Sequence, residues 1–133
     1  MQPPPEARAA GGFDAGRPKF DEKTATSDRL KYNDDRTQQL KWIKTATNYF
    51  IGRAPEMKEM LNWAEQHQSR EITEHDVTTL RCSPWMHDTD PLKLSNDLWS
   101  FLNLTMGESR GRAAFDNAPA GNGFDAWRRI VVP

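Results

Sequence analysis

Residues 121–133 read GNGFDAWRRIVVP. Phe124, Trp127, Ile130 and Val131 fall at i, i+3, i+6 and i+7, which places them on one face of a helix. Isolated helices shorter than about 12–15 residues are marginal in water. This one must therefore lay its apolar face on an earlier part of the chain, or on residues that follow it. Asn122 is the expected cap, accepting from a free backbone N–H, and Gly121 and Gly123 permit unusual φ in the turn. Arg128 and Arg129 read as the solvated side, where they also suit the negative end of the helix dipole.

Working back, LSNDLWSFLNLTMG (94–107) predicts a helix capped by Ser95, with Leu98, Phe101, Leu102 and Thr105 on one face and Gly107 at its exit. Trp99 lies just off that stripe. Between the two helices, ESRGRAAFDNAPAGN holds a weak helical turn around 109–115, stopped by Pro119. SPWMHDTDPLK, broken by Pro84 and Pro91, reads as a loop.

Three further helices precede it. TQQLKWIKTATNYFIG has a cap in Asp35 or Thr37 and a stripe of Leu40, Ile43, Thr47 and Phe50, widened by Ala46 and Tyr49. Trp42 stands beside this stripe, and Gly52 reads as the residue after the helix end. APEMKEMLNWAEQHQ turns Met57, Met60, Leu61 and Ala64 inward, with Pro55 near its first turn and Trp63 on the flank. EITEHDVTTLRC is shorter; Thr73 and Asp76 form a loose capping box, and Val77 and Leu80 point inward.

Sustained alternation is missing from the folded part, so a sheet is not expected. The expectation is an all-α protein: a compact bundle of about five short helices behind a disordered N-terminal leader. Residues 1–18, with four prolines and three glycines, read as that leader. Residues 19–36 read as a charged loop segment anchored by Phe20, Leu30 and Tyr32, and residues 37–133 as the helical domain.

Composition narrows the function. The 133 residues carry a net charge of −1. Even residues 1–36 balance seven basic against seven acidic side chains, whereas binding through phosphates draws on a basic surplus. An apolar run of about 18 residues, which a membrane-crossing helix needs, does not occur, and no signal peptide is read at the start. A single cysteine, Cys82, leaves no internal disulfide and points to a reducing, cytoplasmic location.

Catalytic and metal motifs fare poorly. His67, His75 and His87 with Cys82 lack the two histidines four apart, or the Cys-x-x-Cys pair, of a zinc site. They read as surface histidines and a small buried thiol. DTDP (88–91) lacks the glycine and distal glutamate of a calcium loop. Nucleophile signatures are likewise missing, so the expectation is a non-enzyme without cofactor, metal or small-molecule substrate. Five tryptophans exceed what a loose chain would hold. They belong to the core or to a protein–protein contact, where aromatics concentrate binding energy.

Two stretches carry a resemblance. YNDDRTQQLKWIKTATNYFIG, with Trp42, is followed by DLWSFLNLTMGESRGRAAFDNAPAGNGFDAWRRI. In the second, a small-residue turn at Gly123 precedes Ala126, Trp127 and Ile130. Over residues 30–133 this order resembles the capsid region of Gag proteins from copia-like long-terminal-repeat retrotransposons. The resemblance implies a non-enzymatic capsid domain that self-associates, or meets a downstream capsid segment, with Trp42, Trp99, Gly123, Ala126, Trp127 and Ile130 as motif and candidate interface residues. Contact with the element's RNA would be indirect, because no Cys-His knuckle is present. A different class of function, a small helical adaptor, would use Met57, Met60 and Met106 with tryptophans to line a groove for a partner helix.

Overall fold

A computed structural model describes residues 18–33, 35–86, 89–107 and 109–132, and these form an all-α fold with no strand among them. The expected leader, apart from Pro18, lies outside the described residues, as do His87, Asp88 and Pro133. The helices are α1 (Glu22–Ala25), α2 (Arg36–Arg53), α3 (Met57–Glu65), α4 (Glu74–Thr79), α5 (Pro91–Met106), α6 (Arg110–Asp116) and α7 (Gly123–Val131). Short 3₁₀ turns, Asp28–Leu30 and Leu80–Cys82, supplement them. Five of the seven helices have seven or more residues. Among the described residues, no helix is long and apolar enough to cross a membrane.

Local chemistry sets most boundaries. Asp35 caps α2 by accepting from the Thr37 and Gln38 N–H groups, and Thr73 and Asp76 form a complete capping box on α4. Asn122 caps α7 through the Asp125 N–H. The start of α5 differs from the sequence expectation. Asp90 is its cap and Pro91 its first residue, so Ser95 lies inside the helix. Proline fits there because that position needs no donor. Gly52 likewise stays within α2, which ends at Arg53.

The core lies where α7 meets α3, α5 and α6. Its largest fully buried side chains include Trp127, Phe50, Phe124, Met57, Met60 and Leu98. In α2 the buried stripe is Trp42, Ala46 and Phe50, at i, i+4 and i+8, and not the row led by Leu40, which is 60% exposed. The helix is turned so that its larger aromatic goes inside, since burying tryptophan removes more apolar area from water than burying leucine. Met57, Met60 and Met106 are all buried, so these methionines line no open groove. Cys82 is exposed, contrary to its reading as a buried thiol.

Residues 19–32 fold back as a strap across α2 and α5. Phe20 sits in a ring cluster with Phe50 and Phe101, at centroid distances of 4.8 and 6.1 Å. The Lys19 N–H donates to Asp97 (2.9 Å) and the Arg53 guanidinium to the Lys19 carbonyl (3.1 Å). The Leu30 carbonyl accepts from both the Trp42 indole (2.8 Å) and the Thr105 hydroxyl (2.9 Å).

Candidate functional site

Two regions concentrate functional residue types: the seat of α7, with the motif residues, and a hollow beside the strap.

The turn before α7 brings its first residue against α5. The Gly123 N–H donates to Ser95 Oγ (3.0 Å). A Cβ on Gly123 would lie 2.2 Å from the Ser95 carbonyl oxygen and 2.6 Å from the Trp99 nitrogen, so only glycine allows this approach. One turn on, Trp127 is fully buried, its indole donating to Glu65 Oε2 (2.9 Å). Its ring lies 5.7 Å from that of Trp42 and 5.8 Å from that of Phe50. Ala126 and Ile130 are buried beside it. The two stretches that carry the family resemblance thus meet in one aromatic core.

The same helix hides a charge network. Asp125 is fully buried. Its Oδ1 accepts from the Ile72 N–H (2.9 Å) and from Arg128 Nε and Nη2 (3.0 and 2.9 Å), and its Oδ2 from Arg129 Nε (2.7 Å). Arg128 also donates to the Gln68 carbonyl (2.8 Å), and Asn122 to the Ile72 carbonyl (2.8 Å). Burial alone would push the Asp125 carboxyl up. The bonds from Ile72, Arg129 and Arg128 outweigh it and hold the carboxyl below the ordinary aspartate value. The two arginines are therefore not solvated, as their position suggested: Arg128 is 5% exposed and Arg129 half-buried. The forked guanidinium of Arg128 fits both the Asp125 carboxylate and the Gln68 carbonyl beyond the end of α3.

Of the six motif and interface residues, Trp42, Gly123, Ala126, Trp127 and Ile130 are buried and belong to the core of the chain. Trp99 alone is half-exposed, stacked at 5.4 Å on Phe115 with the Arg112 guanidinium over the other ring. His67 donates to the Trp63 carbonyl (2.9 Å), and among the described residues no group of three His, Cys, Asp or Glu side chains could hold a metal ion.

The second region went unnoticed in the sequence. A hollow of about 440 Å³ opens between the Asp28–Leu30 turn and α2. Arg29, Lys31 and Lys41 line it, with Asp28 the one acidic side chain among the described lining residues, and Tyr32 and Trp42 form its floor. Its signal was divided between two elements and visible in neither.

Compared with protein-family models, curated proteins and solved structures, the chain matches none of them, so its residues and geometry carry the functional reading.

Proposed function

We propose that the chain is a non-enzymatic, Gag-like capsid domain of the copia-like type, which associates in the cytoplasm with copies of itself or with a following capsid segment. The observation that supports this reading is the meeting of the two motif stretches: Trp42 packs on Trp127 inside the core, 5.7 Å between centroids. Residues that a chance match would scatter thereby share one structural task.

The same packing moves the contact surface. With the other motif residues buried, Trp99 is the motif side chain left to touch another molecule. It projects from α5 on a half-exposed strip with Leu92 and Asn103, at i−7 and i+4. One such patch gives weak binding. Many copies linked in a shell give a stable one through multivalency. RNA would be enclosed by that shell and not gripped by this segment.

Light-scattering mass measured over a wide concentration range, with electron microscopy of the heaviest fraction, tests the reading. Mass should climb with concentration, and Trp99→Gln should flatten the climb while the helical circular dichroism persists. A constant monomer mass for the unaltered chain would sink self-association.

A further inference from the structure

The hollow beside the strap has features that capsid assembly does not call for. Its walls are two well-anchored elements. On one side, Leu30 is fully buried and its carbonyl takes two hydrogen bonds, from Trp42 and Thr105. That pins the turn and sets Arg29 and Lys31, its exposed neighbours, on either side of a fixed point. On the other side, Gln38, Lys41 and Thr45 line the hollow from α2, at i, i+3 and i+7, a single helix face.

Arg81, Lys93, Arg112, Arg128 and Arg129 each pair with a carboxylate. Arg29, Lys31 and Lys41 make no ion pair with any described residue, a state they share with Lys23, Lys44, Lys58 and Arg70. What sets the three apart is that they line a single hollow. Among the described lining residues, only Asp28 is acidic. Three like charges held around one space repel each other, and an anion with several oxygens would relieve that repulsion through charge-assisted bonds. Asn33 adds a neutral donor: its Oδ1 already accepts from the Asp35 N–H (2.8 Å), which leaves its NH₂ group to donate. The floor is apolar, but Trp42 and Tyr32 are 3% and 6% exposed, too little to stack a flat ring. Recognition must therefore fall on the oxygens of the ligand. A hollow of about 440 Å³ lies within the range of roughly 300–1,000 Å³ usual for small-molecule sites.

We infer that this hollow binds a small phosphate-bearing ligand, whose phosphate oxygens are held by Arg29, Lys31 and Lys41. The inference goes beyond the capsid reading and stands apart from it, because the site lies within one chain.

Isothermal titration calorimetry on the full chain tests it, with inorganic tripolyphosphate and ATP as separate probes at low and moderate salt. Saturable binding that weakens as salt rises is expected. Lys41→Glu and Arg29→Glu should each weaken it by about tenfold or more, the loss that removal of one charge-assisted bond gives. Asp28→Asn should tighten it, an effect that damage to the fold would not produce. Lys58→Glu, an exposed charge reversal on α3 away from the hollow, should leave it unchanged. Equal affinity for the two probes identifies the phosphate chain as the ligand, and preference for ATP adds contacts to the nucleoside. No saturable binding of either probe, or equal weakening by Lys58→Glu, overturns the inference.

Discussion

Helix α7 is nine residues long and buries seven of them, whereas α2 runs for 18 and buries three. Length and share of the core are thus inverted. The long helix supports itself largely by backbone bonds and a good cap at Asp35, and a narrow stripe of Trp42, Ala46 and Phe50 is enough to hold it. The short one lies among α3, α5 and α6, and its burial extends to the charged Asp125 and Arg128. It survives there because Asp125 and Arg128 satisfy each other and the main chain at Ile72 and Gln68. A buried charge is tolerated when its partners are complete, and costs heavily when one of them is removed.

That contrast can be broken most severely at Asp125. Asp125→Ala leaves the Ile72 N–H and the Arg128 guanidinium buried without their acceptor, and should cost about 3–5 kcal/mol, read as a fall in the denaturant midpoint. An effect under about 1 kcal/mol, the worth of an exposed pair, would mean that the network is wet. Next comes Gly123→Ala. The added carbon meets backbone atoms of α5, so α7 must shift, at about 1–3 kcal/mol for an overpacked core. Unchanged thermal stability would show that α7 is not seated as described.

Acid should act through the same carboxylate. The folded pKa of Asp125 lies below the ordinary 3.8, so its contribution is complete above that value and is lost as pH falls through the folded pKa. The stability gap between the unaltered chain and Asp125→Asn should accordingly hold steady at higher pH and narrow below about pH 4. A gap that widens in acid would reverse the sign of the argument. At the quiet end, Leu40→Gln on the outer face of α2 should change stability by less than about 0.5 kcal/mol. A large loss would mean that the helix presents the other stripe to the core.

Much of this was legible in the sequence where the signal is local. Capping residues Asp35, Thr73 and Asn122 need only a few neighbours to act, and the faces 57/60/61/64 and 98/101/102/105 follow from period alone. The failures share a cause. In α2, apolar residues at 40, 42, 43, 46, 49 and 50 allow two stripes, and only the partners of Trp42, namely Tyr32, Trp127 and the Leu30 carbonyl, select one. Asp125 and Arg128 are three apart, a spacing that announces a pair but not its depth. The depth comes from Ile72 and Gln68, far away in the chain. For α5 the Asp-Pro start was readable, yet Ser95 competed as a cap. Its hydroxyl serves Gly123 instead.

The position of α7 also has a consequence for synthesis. A ribosome adds roughly 5–20 residues per second, so about a second can separate the emergence of residue 122 from that of residue 131. During that interval α2, α3 and α5 can form, but Trp42 and Phe50 have no Trp127, and Trp63 no Phe124, to pack against them. The nascent chain passes through a stage with most of its helices and an open core, the stage at which chaperones would find it and neighbouring chains on the same message could stick.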